Sequence, residues 1–438
     1  VKAGRPDNVV DRGLHIGRLG LKLTGSYLGY QFQNLWFGGM QQDVRRRRFQ
    51  QKASRQIREE LQTLKGPVMK LGQMLSMQGG LLSAEALDEL AALQMHAPGM
   101  HPTLARAQFK ASCGRDPDEV FREFEPEPFA AASLGQVHRA VTRSGEIVAV
   151  KIQYPGIRKA VENDFKLLRS ATLAGRITGH IPKELVDEIE TRILLETDYV
   201  REGRNLDDFR KHLEPLPHVT VPRVFWDHTT DRVLTMSFLE GRHLGDWLAS
   251  KQPASLRNLA GARLFELFYF QVLRVGMLHA DPHPGNYLFT EDGGIGLVDF
   301  GCVKEVAPAF PEVIRIFVDP ETQPEPRRVA QMARLLWGEQ TPGRQEDGCR
   351  IIRRAFDFGC RIFPRSGTAQ ATVDFGSNAV FAGLARVAKE VLQSKLIRPE
   401  FVFVKRAELG LYNVLHQLGA QIRTHALVRG IEEMPPAR

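Results

Sequence analysis

Two carboxylates, Asp281 and Asp299, stand 18 residues apart, with Asn286 five residues after the first. No other feature constrains the fold of this chain as strongly. They lie in the strings HADPHPGN (His279–Asn286) and LVDFG (Leu297–Gly301). The residues between read as a hairpin: Tyr287-Leu288-Phe289, a turn at Glu291-Asp292-Gly293-Gly294, then Ile295–Val298. Phosphoryl transfer from a nucleotide needs few protein groups: a carboxylate near the attacking hydroxyl or water, and an amide plus a second carboxylate for Mg²⁺. The pattern predicts Asp281 in the first role, with Asn286 and Asp299 as the Mg²⁺ ligands.

The bulk numbers exclude more than they select. A chain of 438 residues with 43% hydrophobic and 25% charged residues has material for a core and two or three domains, or one bilobal unit. The formal net charge is +8, but Lys and Arg are scattered apart from Arg45–Arg48. Without aromatic-interleaved basic motifs, nucleic acid is excluded as a partner. The basic run fits a solvated helix face or contact with an anionic membrane surface. Four cysteines without a C-x-x-C pair read as reduced thiols. No apolar run reaches the ~20 residues of a membrane span. The nearest, Leu259–Leu278, contains Arg263, Glu266, Gln271 and Arg274 and reads as a buried domain helix, and the tail Leu409–Arg438 carries no span. No secretory leader pattern opens the chain. The expected location is cytoplasmic or peripheral to a membrane.

Along the chain, residues 1–64 read as an arm and a basic helix, 65–115 as a helical extension, 116–240 as a strand-rich lobe and 241–438 as a helical lobe. Strands are expected at Gln136–Val141 and Glu146–Ile152, joined by a turn at Arg143-Ser144-Gly145. Helices are expected at Gly156–Ile177 and Pro182–Leu213. In the second, Leu185, Ile189, Ile193, Glu196 and Val200 share one face, Asp198, Glu202 and Asn205 cluster on another, and Gly203 marks a break. Strands at Val221–Trp226 and Arg232–Phe238 precede a pivot at Glu240-Gly241; Glu321–Pro326 and Gln340–Gly348 read as loops.

Lys151 ends the apolar run Ile147–Val150, where a lysine alone reads as a snorkelling surface residue. Beside the Asp/Asn/Asp set it becomes the cation for the α/β-phosphates, a task that protein kinases give to a strand Lys held by a helix Glu. A buried carboxylate needs a countercharge, so Glu196, on the apolar helix face, is the expected partner. Upstream, where G-x-G-x-x-G would be expected, the chain has Ala130-Ala131-Ala132-Ser133-Leu134-Gly135-Gln136-Val137, a stiffer loop with methyl groups near the phosphates. His279 and His283 are separated by prolines that exclude a shared helix face, so they read as structural or substrate-orienting rather than as metal ligands.

Taken in order, these strings resemble the UbiB/AarF/ADCK family of atypical kinase-like proteins. Lys70-Leu71-Gly72-Gln73 is similar to its KxGQ motif, Ala130–Ser133 to its alanine-rich loop, Glu196-Thr197-Asp198 to its ExD motif, and His279–Asn286 with Asp299-Phe300-Gly301 to its catalytic and metal loops. The resemblance implies an α+β, protein-kinase-like bilobal fold with an N-terminal helical extension that obstructs peptide binding. It implies Mg²⁺-dependent ATP binding, with ATPase or small-molecule kinase activity in support of isoprenoid-quinone (ubiquinone) biosynthesis or lipid homeostasis. A lipid or quinone precursor is the implied partner. Carried over by position, Asp281, Lys151 and Glu196 are catalytic and Asn286 and Asp299 hold metal. Ala130, Ala131, Ala132, Ser133, Val137, Lys151 and Glu240 contact the nucleotide, while Lys70, Gln73 and Asp198 are regulatory. Consistent with peptide exclusion, Cys302–Ala307 after the DFG string carries no Ser, Thr or Tyr and no A-P-E follows. Two alternatives remain: a protein kinase whose extension is displaceable, and a lipid-binding scaffold switched by nucleotide.

Overall fold

The computed structural model describes residues 100–132, 134–173, 187, 190–191, 193–318, 325–338, 342–364, 372–377, 383 and 399–434. The expected arm, the Arg45–Arg48 run and the KxGQ helix lie outside these residues, as does Ser133. The described chain forms two compact units: the first runs to Gly203 and takes in Val224–Phe238, and the second holds Arg204–Arg223 and everything from Leu239 onward.

Helix α1 (Pro102–Cys113) opens the first unit, capped by the His101 side chain and stopped by Gly114 at φ 73°. The short α2 (Pro117–Val120) begins in a capping box built by Asp116 and Glu119. The strands are β1 (Phe121–Phe124), β2 (Ala130–Ala132), β3 (Gly135–Thr142) and β4 (Ile147–Gln153). Next come α3 (Ile157–Leu173), α4 (Tyr199–His212), β5 (Val219–Thr220) and β6 (Val233–Ser237). The sheet order is β1-β3-β4-β6, antiparallel throughout, with β2 also on β3.

Side chains alternate across a strand. Val148, Val150 and Ile152 of β4 therefore face one way, into a core shared with Ala105 and Phe109 of α1. Ala149, Lys151 and Gln153 face the other way. Gln136 opposes Ile152 and shares the α1 face, where its side-chain oxygen accepts from the backbone N–H of Met100 at 2.7 Å.

Two sequence expectations fail in this unit, for local reasons. The helix expected over Pro182–Leu213 with a break at Gly203 breaks elsewhere: the backbone turns at Glu196-Thr197 and α4 starts at Tyr199. Asp198 supplies the restart, its Oδ1 accepting from Arg201 N at 3.0 Å as an N-cap. Gly203 breaks nothing. It lies inside α4 because a Cβ there would stand 2.8 Å from the Trp226 ring. Gly203→Ala is expected to destabilise the protein by about 1–3 kcal/mol, an overpacking cost large enough to outweigh alanine's better helix propensity; a denaturant midpoint at or above wild type would refute this. The expected strand Val221–Trp226 shrinks to one bridge, Val224 to Met236, with Pro222 lacking a donor and a 3₁₀ turn at Trp226–His228.

In the second unit α5 (Leu244–Ala249) and α6 (Ala254–Phe270) come first. The last turn of α6 widens into a π turn, Gln271–Val275, closed by Gly276 at φ 71°. Then follow β7 (Met277–His279), β8 (Tyr287–Phe289), β9 (Ile295–Leu297) and β10 (Val303–Glu305). β8 and β9 form the expected hairpin, with β5 parallel to β9, while β7 pairs β10. The remaining elements are α7 (Ala309–Val318), α8 (Pro326–Trp337), α9 (Pro342–Ile362), β11 (Val373–Asp374), α10 (Pro399–Leu418), β12 (Gln421–Ile422) and α11 (Thr424–Glu433). The expected loop Gln340–Gly348 is helical from Pro342. Proline suits a first helical turn, and Gly348 lets the Trp337 ring approach, a Cβ there standing 3.1 Å from it. The segment Leu259–Leu278 is a buried domain helix, as expected, as far as Val275, with Phe265, Tyr269 and Phe270 almost fully enclosed, and its last two residues open β7. Among the described residues no helix is long and apolar enough to cross a membrane.

Candidate active site

Lys151 projects from β4 away from the α1 core and is 4% exposed. Its Nζ donates to both carboxylate oxygens of Glu202, at 2.7 and 2.9 Å, and lies 5.0 Å from the centre of the Tyr199 ring. An ammonium held by two charge-assisted bonds and an aromatic face has one orientation. The helix carboxylate expected on Lys151 is thus present, but it is Glu202 and not Glu196. The reason is the interruption at Glu196–Asp198. A helical phase counted from Leu185 through Glu196 does not continue into α4, whose own buried stripe is Tyr199, Glu202, Leu206 and Phe209. Glu196, also buried, sits in the turn before it. Asp198 caps the helix that carries Glu202, so its visible task is to start that helix.

The alanine loop is a tight hairpin. Ala130, Ala131 and Ala132 pair residue by residue with Val137, Gln136 and Gly135, and among the described residues none of these alanines needs a positive φ. Ala130, Val137 and Lys151 are successive cross-strand neighbours and so share the Lys151 face of the sheet. Gly135 is required by space, since a Cβ there would stand 2.3 Å from the Ile152 carbonyl oxygen and 3.0 Å from the Tyr199 hydroxyl. Glu240 is exposed and precedes Gly241, at φ 152°.

The second unit gathers the other predicted residues. Asn286 ends a 3₁₀ turn, Pro284–Asn286, and its Nδ2 donates to Asp281 Oδ2 at 2.9 Å and to the Asp281 carbonyl at 3.1 Å. With its amide nitrogen directed at Asp281, the side-chain oxygen of Asn286 is the end presented to a cation. The hairpin ties the two strings together, Val298 N donating to Asn286 O at 3.2 Å. Asp299 Oδ1 accepts from Gly301 N at 3.0 Å, which fixes its carboxylate at the turn of the DFG string. The donor set is all oxygen: an amide and two carboxylates. Mg²⁺ is commonly held by one or two carboxylates with phosphate and water completing its shell, so these residues fit it. Among the described residues there is no cluster of three or more His, Cys, Asp or Glu for a metal held by protein alone. His283 Nδ1 accepts from Gly285 N at 3.0 Å, the structural use expected of it.

Two contacts that sequence reasoning did not assign hold this loop pair. Asn205 Nδ2 donates to the Phe300 carbonyl at 2.9 Å, and Phe300 is fully buried with its ring 5.1 Å from that of Phe209. Asn205 follows Glu202 by three positions, so the same α4 register carried the signal. Pro282 packs on Gly410 of α10, where a Cβ would stand 2.2 Å from the proline ring. Gly410→Ala is expected to displace Asp281 and lower nucleotide turnover about tenfold or more, because small misplacements of a reacting group are costly. Unchanged turnover would show that the loop yields without consequence. Burial, reinforced by the charge of Asp281, pushes the Tyr287 phenol well above its usual range, so Tyr287 remains a neutral neighbour of that carboxylate.

Comparison with known proteins places this arrangement. The model of the ABC1 atypical kinase-like domain matches residues 92–332. The chain belongs to the ABC1 family of atypical kinase-like proteins. Among similar proteins, the chloroplastic protein Activity of BC1 complex kinase 7 of Arabidopsis thaliana is 34% identical over 281 residues, covering 62% of this chain and 39% of that one. A chloroplastic aarF domain-containing protein kinase of the same plant is 36% identical over 258 residues, covering 58% of this chain and 36% of that one. This ABC1 chain therefore spans less than half the length of either. The solved structure of Rv3197 from Mycobacterium tuberculosis, in complex with erythromycin, matches with a TM-score of 0.57 at 25% identity over 90% of this chain and 98% of that one. The expected α+β kinase-like fold is thereby shown.

Proposed function

We propose that this ABC1 chain binds ATP with Mg²⁺ and transfers its terminal phosphoryl group to water or to a small molecule. The observation that carries the reading is the hydrogen bond from the Asn286 amide to the Asp281 carboxylate, on a hairpin whose far end carries the anchored Asp299 carboxylate. Lys151, oriented by Glu202, contacts the α/β-phosphates; Val137 and the methyl groups of Ala130 and Ala132 bound the nucleotide, whereas Ala131 pairs with Gln136 on the opposite face of the sheet. Asn286 and Asp299 hold the metal, which when bound neutralises phosphate charge. Asp281 orients the attacking oxygen and takes up its proton. The acceptor class that the family resemblance supports is a lipid or isoprenoid-quinone precursor, reached at an anionic membrane surface, with Lys70 and Gln73 regulating access.

Phosphate release from ATP, measured in Mg²⁺ and in excess chelator, with and without anionic vesicles carrying a quinone analogue, tests this. Turnover that needs Mg²⁺ and rises with vesicles is the expected result. The absence of any Mg²⁺-dependent nucleotide binding would overturn it. Transfer of label to a protein partner, dependent on Asp281, would favour a protein kinase instead.

A further inference from the structure

His279 is nearly buried and its ring touches Phe300 edge-on at 5.2 Å. Its Nε2 contacts the backbone carbonyl of Asp299. A carbonyl only accepts, so this contact selects the tautomer with the proton on Nε2, whose Nδ1 is an acceptor. That Nδ1 is buried and has no hydrogen-bond partner among the described residues. The ring also borders a small cavity of about 10 Å³, lined by Gln271 and Tyr287 on its polar side and by Leu267, Ala407 and Leu411 among its apolar walls. Such a void accommodates about one water molecule.

Gln271, a second polar group at this void, is 3% exposed and is the first residue of the π turn that ends α6. The i→i+5 bond from Gly276 N to Gln271 O, 2.9 Å long, marks a local widening of the kind often found at functional sites. The Gln271 side-chain oxygen accepts from His279 N at 2.7 Å, and its Nε2 donates to Leu267 O at 3.1 Å, leaving a second amide hydrogen. We infer that Gln271 and one buried water in this cavity form a positioning device. The water accepts from Gln271 and donates to His279 Nδ1, locking the ring that holds the Asp299 backbone. Gln271 is thus a positioning residue for the metal carboxylate, and the cavity is a specific solvent site.

The inference rests on the proposed role of Asp299, and its test separates the two. Three variants of the full chain are compared with wild type: Gln271→Met, of similar volume without polar hydrogens; Ala407→Val, which fills the cavity from its apolar wall; and Asp299→Asn. The readouts are the Mg²⁺ concentration for half-maximal ATP-analogue binding, the melting temperature, and the ¹⁵N signals of the His279 imidazole, assigned by their loss in His279→Gln. Gln271→Met is expected to raise the Mg²⁺ requirement about tenfold, the typical effect of one buried hydrogen bond. Ala407→Val is expected to act in the same direction, and both should turn a single Nε2-protonated His279 signal into a tautomer mixture. Unaltered His279 signals in both variants would overturn the inference, even if Asp299→Asn abolishes binding. Altered His279 signals without Mg²⁺-dependent binding in wild type would uphold the device and overturn the nucleotide reading.

Discussion

Glu202→Ala is expected to destabilise the protein by roughly 3–5 kcal/mol, because it strands the Lys151 ammonium in a buried site without its carboxylate. Lys151 and Glu202 side chains are 5% and 2% exposed, so solvent cannot replace the lost partner. Removing both charges together, as Lys151→Met with Glu202→Leu, should recover most of that loss while leaving nucleotide binding absent. Chemical denaturation of the two variants makes the comparison, and Glu196→Ala serves as the contrast. If Glu196→Ala loses nucleotide affinity as Glu202→Ala does while Glu202→Ala keeps wild-type stability, the carboxylate assignment made from the structure is wrong.

Asp299→Asn is expected to weaken Mg²⁺-dependent ATP binding by at least about a hundredfold. Loss of an outer-shell partner alone reaches that order, and here a direct ligand charge is removed. The substitution is nearly isosteric, and its side-chain oxygen can still accept from Gly301 N, so the loop's anchor at that point survives. Calorimetric titration with a non-hydrolysable ATP analogue, with Mg²⁺ and with chelator, separates charge from fold. A variant that binds and hydrolyses ATP normally would remove Asp299 from the metal site. Asp281→Asn differs in kind: it should retain binding and lose turnover, since its role concerns the attacking oxygen.

Much of this was legible in the chain because the signals are local. The hairpin between Asp281 and Asp299 is written in apolar triplets and a Gly-Gly turn. The strand pair around Lys151 is written in alternation and in Arg143-Ser144-Gly145. A helix phase, by contrast, does not carry across the turn at Glu196-Thr197. Glu196 and Glu202 are both acidic, both near apolar neighbours, and six residues apart. Only the cap formed by Asp198, satisfied by Arg201 N, starts a new helix and sets which of the two meets Lys151. Gly203 and Gly135 follow a related rule. Each provides space for a partner distant in sequence, Trp226 in one case and the Ile152 carbonyl in the other, and neither breaks its element.

By itself the sequence determined which groups exist and their order: a strand lysine, an amide and two carboxylates spaced around a hairpin, and alanines where glycines would allow a looser loop. Hydrogen bonds and periodicities that span a few residues are encoded where they act, so they can be read there. Tertiary structure alone decided the partnerships, Lys151 with Glu202, Asn205 with the Phe300 carbonyl, and Gln271 with His279. Those pairings depend on which face a helix buries after its start is fixed, and that is set by packing among residues far apart in the chain.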